Sequence, residues 1–353
     1  MNILLMNLSR EFGEAEKQTL FLALGLHQRS DCRVTLVCSR LSLLHEAAHH
    51  YALDTMPLTE GFFGKLGTWM RIRKFFKEHP GKWVLHANDD QSAILGAKII
   101  KGKPPSVYFL NSRHLPTPLK DPRIETAFKL GLAVACPSQE IAYVMAEGKV
   151  PPRTLKIVPG GVDPELYPAR VERKDTRLVF VSPGRLVPEK GHWQILEAMK
   201  LLLEDPDMPP WEVRFCAPGP LADQLYNKAC EIGVESRLSI LGGQPDFHIL
   251  PWCDVLLAPA LQQEGPGMEI MQGWATGLPV ICSDTMAYRE IVKDGENGLF
   301  FKAEMPASLA EKMMDVGKSD ALRRKLVEGG TESLQKHTHK SLAARYLYLY
   351  HHL

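Results

Sequence analysis

Arg185 and Lys190 stand in one turn rich in glycine and proline, Pro183-Gly184-Arg185-Leu186-Val187-Pro188-Glu189-Lys190-Gly191. A guanidinium offers a planar fork to phosphate oxygens, and an ammonium offers a movable point charge. Two such cations suit an anionic ligand; the plain alternative is a solvated turn in which they happen to be close. A second run, Glu264-Gly265-Pro266-Gly267-Met268-Glu269-Ile270-Met271-Gln272, opens with glycines and continues at helical spacing. The unpaired N–H groups of a helix starting there can hold a diphosphate. Helical spacing places Met268 and Gln272 one turn apart on one face. Glu264, just ahead of the helix, can reach a neutral polyol. Its plain alternative is a Gly-Pro helix start with an exposed carboxylate.

These residues need elements to position them. Short apolar runs at 3–6, 34–38, 83–86, 107–110, 133–136 and 155–158 read as strands. A second set follows at 178–182, 212–217, 238–241, 255–258, 279–283 and 299–301. Many are apolar on both faces, as parallel strands covered by helices must be. Amphipathic stretches at 14–29, 91–101, 192–204, 221–232 and 309–316 read as helices, and 301 onward reads as helical to the end. Alternating βα units specify doubly wound parallel sheets, and one sheet of that many strands would be unusually large. The break falls best between 160 and 175, where turn residues lead into a charged run. The cationic turn then lies at the carboxyl end of a strand, where open α/β sheets bind ligands.

The chain has 353 residues, 45% hydrophobic and 24% charged, which excludes a disordered or single-small-module reading. Lys plus Arg is 42 against 41 for Asp plus Glu, without the basic excess of a nucleic-acid binder. The 7 cysteines are scattered with no CxxC pair, against a disulfide framework or zinc knuckle. The apolar run at 3–6 is too short for a signal peptide, and no stretch approaches a membrane span. A reduced cytoplasmic protein is expected.

On the two runs above the chain resembles a GT-B glycosyltransferase of the large retaining family numbered four, the glycosyl transferases of group 1. Further stretches carry the resemblance: Ala275-Thr276-Gly277-Leu278-Pro279-Val280-Ile281, Glu290-Ile291-Val292-Lys293-Asp294-Gly295-Glu296-Asn297-Gly298-Leu299, Gly219-Pro220-Leu221 and Pro159-Gly160-Gly161-Val162-Asp163. The matches run in family order over most of residues 130 to 350; the N-terminal half matches loosely. The resemblance implies an α/β GT-B fold, two Rossmann-like doubly wound parallel-sheet domains facing a central cleft. An acceptor-binding domain would span 1–168, with the C-terminal helix 338–353 packing back on it. A donor-binding domain would span 169–337. The implied reaction moves a sugar, with retention, from a nucleotide-diphosphate sugar (a UDP-sugar expected) to a hydroxyl acceptor. That acceptor would be a surface glycan or glycolipid precursor of lipopolysaccharide type.

By position, Arg185, Lys190 and Glu264 are the implied catalytic set, and no metal or other cofactor is expected. Gly13, Gly184, Gly243, Gly265, Gly267, Met268 and Gln272 are the implied donor-binding residues. His86, Asn111 and Arg113 are weaker acceptor-side candidates. Three departures stand out. Gln272 replaces a family glutamate that holds ribose hydroxyls, and glutamine still accepts one hydrogen bond. Glu14 replaces the second glycine of the N-terminal loop. Asn111-Ser112-Arg113-His114 stands where many members have a histidine, leaving open which residue faces the sugar.

His86-Ala87-Asn88-Asp89-Asp90 ends a strand and starts a helix, so Asp89 or Asp90 is most simply an N-cap. A basic stretch from 62 to 82 presents Arg71, Lys74 and Lys77 on one helical face and Leu66, Trp69, Ile72 and Phe76 on another. Peripheral contact with the inner membrane surface is one reading; the plainer one, favoured here, buries the apolar face and solvates the basic one. Against the transferase stand a non-catalytic GT-B sugar-nucleotide-binding partner and another GT-B chemistry such as phosphorolysis or epimerisation. A dinucleotide dehydrogenase is disfavoured because the first βα turn lacks GxGxxG.

Overall fold

A computed structural model describes residues 1–58, 62–102, 104, 106–242, 246–261, 265 and 267–353, without the side chains of 62–66. The chain forms two compact units, Met1–Gly161 with His339–Leu353, and Val162–Thr338. The first holds a parallel sheet of β1 (Asn2–Asn7), β2 (Arg33–Ser39), β3 (Thr55–Leu58), β4 (Trp83–Ala87), β5 (Val107–Ser112), β6 (Ala133–Cys136) and β7 (Leu155–Ile157). Their order is β3-β2-β1-β4-β5-β6-β7, so the winding reverses between β1 and β4. Ile3, Leu4, Leu5 and Met6 are fully buried, because helices cover both faces of this central strand. Register pairs Leu5 with His86 and with Leu36.

The second unit holds β8 (Leu178–Ser182), β9 (Trp211–Phe215), β10 (Leu238–Ile240), β11 (Val255–Ala258), β12 (Val280–Ser283) and β13 (Leu299–Phe301). The order is β10-β9-β8-β11-β12-β13, again parallel. Reversal between β8 and β11 sends their two following loops out side by side, the place where such sheets bind ligands. Phe180, Phe215, Ile195, Leu257 and Phe301 fill the core beneath.

Strand β3 was not expected. It pairs only with β2 at the sheet edge, and Pro57 sits in it; proline in a strand is tolerated at an edge and hides the pattern. The helical stretch expected after 301 consists of three helices, Pro306–Lys318, Asp320–Leu334 and His339–His351. The units divide at Gly161 and Val162, a few residues before the 168/169 expectation. Val162 belongs to the second unit because its N–H donates to His337 O at 2.9 Å and it bridges Thr338. The last helix, His339–His351, packs on Glu14–His27 of the first unit. A Cβ on Gly25 would lie 2.3 Å from His339 O, so glycine there permits close helix approach.

Candidate functional site

Both candidate loops are shaped by glycines and anchored from below. Ser182 ends the buried β8, and the chain enters the 183–191 turn. Leu186 is fully buried, its N–H donating to Pro218 O at 3.2 Å and its O accepting from Leu221 N at 3.1 Å. With Leu186 pinned inward, neighbouring Arg185 is exposed and, among the described residues, has no ion pair or side-chain hydrogen bond.

Lys190 is arranged differently. It closes the turn Pro188–Lys190 and is only 8% exposed. Its stem lies over Gly184, where a Cβ would be 3.0 Å from Lys190 Cδ. Its Nζ donates to Glu269 Oε1 at 3.0 Å, and that oxygen also accepts from Tyr288 OH at 2.6 Å. Burial works against the Glu269 charge, but the ammonium and the hydroxyl outweigh it and hold the carboxyl below its usual range.

Gly191, next in line, has φ +67°. A Cβ there would lie 2.0 Å from Pro259 O in the loop after β11. Gly233 has a similar φ of +75° with open space around it. Gly233→Ala is therefore expected to cost about 1 kcal/mol from the left-handed backbone alone. Gly191→Ala should cost about 2 kcal/mol more, because two loops must separate. Urea unfolding of the two variants checks this, and equal losses would sink the close-approach account.

Gly267, φ +67°, caps the helix Met268–Thr276, its O accepting from Ile270 N at 3.1 Å and Met271 N at 3.3 Å. Buried Gly265 fixes the approach, its O accepting from Gly267 N at 2.9 Å. Met268 is buried at the first helical position, beside the helix's positive end. Gln272 is buried too. Its Nε2 donates to Tyr167 OH and to Asp246 Oδ2, each at 2.8 Å, so its carbonyl oxygen is what it has left for a ligand. Glu264 and Gly243 lie outside the described residues. Among the described residues no cluster of three or more His, Cys, Asp or Glu is grouped to hold a metal.

The first unit's candidates are placed less favourably for a ligand than the sequence suggested. Gly13 caps Glu14–His27, but its N–H already donates to Glu16 Oε2 at 2.9 Å. Its loop is therefore closed by a carboxylate of its own helix. His86 is fully buried in β4, bonded through Nδ1 to Tyr350 OH and through Nε2 to Ser112 Oγ, each at 2.7 Å. Ser112 Oγ in turn meets Tyr346 OH at 2.8 Å. This network ties the last helix to the sheet and occupies both ring nitrogens of His86. Asn111 is fully buried and donates to Ala127 O at 3.2 Å. Arg113 is 5% exposed and spends its guanidinium on Asp90 (2.6 Å), Thr117 (2.8 and 2.9 Å) and Leu115 O (3.1 Å). It clamps its own loop and has little left for an anionic acceptor.

His114 is the polar residue of that segment whose two ring nitrogens are covered and without a partner. It lines a small cavity at the carboxyl ends of the strands, with Gln18, Asn88, Gly160 and Tyr346. About 10 Å³ of that cavity is open to a water centre, room for roughly one water. Glu269 and Tyr288 were not anticipated as site residues. Glu269 reads locally as a first-turn acid complementing the helix dipole, and only its contact with Lys190 sets it apart.

The glycosyltransferase family 4 model matches residues 15–166, and the glycosyl transferases group 1 model matches residues 164–333. The chain is 29% identical over 165 residues to the UDP-Gal:alpha-D-GlcNAc-diphosphoundecaprenol alpha-1,3-galactosyltransferase of Escherichia coli, covering 43% of this chain and 42% of that one. It is 30% identical over 157 residues to the lipopolysaccharide core biosynthesis glycosyltransferase LpsE of Rhizobium meliloti, covering 44% of each. The chain thus spans about half the length of the curated relatives it matches. HepE of Anabaena, crystallised with UDP-glucose, superposes with a TM-score of 0.83 over 100% of both chains at 17% identity, which shows the fold. With two parallel-sheet units of GT-B type and family models over both halves, the chain belongs to the group 1, family 4 glycosyltransferases.

Proposed function

We propose that this chain is a hexosyltransferase that moves a sugar, with retention, from a UDP-sugar to a hydroxyl of a surface glycan or glycolipid precursor. One observation carries the reading: at the β8/β11 switch point the exposed, unspent Arg185 stands in one turn with Lys190. The amino-terminal end of Met268–Thr276 lies across from that turn, with Glu269 of its first turn on Lys190. In the reaction the bond from the sugar's C1 to the diphosphate oxygen breaks. A bond from C1 to the acceptor oxygen forms on the same face, and the acceptor's proton ends on the departing diphosphate. Arg185, Lys190 and the helix amides meet the charge that develops on that diphosphate, so protein cations serve where a metal serves in other transferases. Gln272 Oε1 is suited to accept from a ribose hydroxyl. Glu264 is assigned to the donor sugar's hydroxyls on the resemblance alone. In the N-terminal unit, among the described residues, both ring nitrogens of His114 and the Oδ1 of Asn111 are buried polar atoms without a protein partner.

The donor is supported by the UDP-glucose-bound Anabaena neighbour and by the UDP-Gal of the Escherichia coli relative's name. The acceptor class is supported by the lipid diphosphate and lipopolysaccharide core in the relatives' names. A thermal-shift screen of nucleotide-sugars tests the reading, since stabilisation follows affinity. A rise with a UDP-sugar supports it; binding without transfer or slow hydrolysis would instead favour a non-catalytic sugar-nucleotide-binding partner.

The basic helix Phe62–Glu78 bears on location. Trp69, Ile72, Phe75 and Phe76 pack into the first unit's core, Arg73 lies 4.7 Å over the Trp69 ring, and Arg71, Lys74 and Lys77 are exposed. Among the described residues no helix is long and apolar enough to cross a membrane. With the apolar face already used, charge reversal at Lys74 and Lys77 is expected to leave co-sedimentation with anionic vesicles unchanged. A marked drop would establish this face as a membrane contact.

A further inference from the structure

We infer that Glu269, braced by Tyr288, is a positioning residue that aims Lys190 at the diphosphate and offsets part of its charge. The inference rests on the functional reading above. A lysine stem confined over Gly184 reaches its carboxylate across the fold, from residue 190 to residue 269, with Nζ to Oε1 at 3.0 Å. Tyr288 OH holds the same oxygen at 2.6 Å, and both partners of the ion pair are buried, at 8% and 6% exposure. A buried pair this well satisfied is costly to break from one side, so the ammonium keeps one place. Arg185, in the same turn, has no such carboxylate among the described residues.

The two cations therefore differ in what they offer a resting donor. Arg185 presents its whole charge, whereas the Lys190 charge is largely cancelled at a distance by Glu269. When the C1–O bond breaks, negative charge grows on the leaving oxygen, and a fixed ammonium gains more from that growth than from the ground state. Interactions that strengthen only toward the transition state raise turnover rather than affinity. Glu269 thereby lowers affinity for the intact donor and the product through its charge, and raises turnover by holding the ammonium where the leaving oxygen develops its charge.

The test uses the full chain, with UDP as the binding probe and UDP-glucose as the substrate, UDP release being read with water as the acceptor. Glu269→Gln is expected to bind UDP about tenfold more tightly while kcat for UDP release falls at least tenfold. Glu269→Asp should restore part of the turnover. Tyr288→Phe, a milder change, should move both quantities in the same directions by a smaller factor and serves should Glu269→Gln fail to fold. A purely structural role would leave UDP affinity unchanged or weaken it along with turnover, and would not drive the two apart. If the wild type binds and turns over but the variants match it, or lose both together, the positioning inference falls and the functional reading stands. If the wild type neither binds UDP nor releases it from UDP-glucose, the functional reading falls and the inference falls with it.

Discussion

Arg185→Ala should reduce kcat/KM for donor turnover by about 10²–10³-fold, the usual loss when one donor to a developing oxyanion is removed. The melting temperature should not move. The side chain is exposed and, among the described residues, makes no ion pair or side-chain hydrogen bond, so folding does not use it. Leu186, which does the anchoring, stays in place with its bonds to Pro218 and Leu221. Arg185→Lys should recover only part of the loss, because an ammonium keeps the charge but not the planar fork. Initial rates of UDP release alongside thermal unfolding check both halves. Wild-type turnover in Arg185→Ala would place the diphosphate elsewhere.

Acid lability is the second large effect, and it comes from histidines held neutral inside. Burial, with a lesser contribution from Arg113, pushes His114 down to about 4. Burial, helped by Lys190, pushes His192 to about 3, and burial with His114 nearby holds His86 well below its usual value. Unfolding returns each ring to water, where it protonates near pH ~6.5. The stability tied to these rings is complete above that pH. It drains as pH falls, because the unfolded chain then binds protons that the folded chain refuses. For His114 the loss ends near 4, where the folded ring itself takes up a proton. His114→Gln should therefore flatten the stability–pH slope between about 6.5 and about 4 by one proton, about 1.4 kcal/mol per pH unit. Urea titrations of wild type and variant across that range measure it. Identical slopes would show that the ring is already charged in the folded chain.

The two experiments reach different parts of the molecule. Arg185 is exposed and takes little part in the fold's own pairings among the described residues. His86, with Ser112, Tyr346 and Tyr350, belongs to the fold. Part of that division was readable from residue order. Apolar runs such as 178–182 and 255–258 are long enough and apolar enough on both faces to declare buried parallel strands. Glycines at 184, 191 and 267 punctuate the turns between them. Such signals are local, set by side-chain period and backbone freedom within a few residues, so the chain alone determined the alternating βα architecture and the cationic turn. β3 escaped because Thr55–Leu58 is short and carries a proline, and an edge strand needs no continuous apolar pattern.

Which charged and polar groups remain for chemistry was decided only by the tertiary structure. Arg113 and Arg185 are alike as sequence, each an arginine in a loop after a strand. Arg113 meets Asp90 and Thr117 and is consumed; Arg185 is not. Lys190 was legible as a cation, but its restraint by a carboxylate 79 residues away was not. His86 took its partner from 264 residues away, where the last helix returns. Satisfying a buried donor or acceptor depends on whichever group the fold brings within about 3 Å, and that proximity has no signature in local order. Residue types and their spacing fix which elements form and which groups are candidates. Only packing decides which candidates pair with one another and which remain for a ligand.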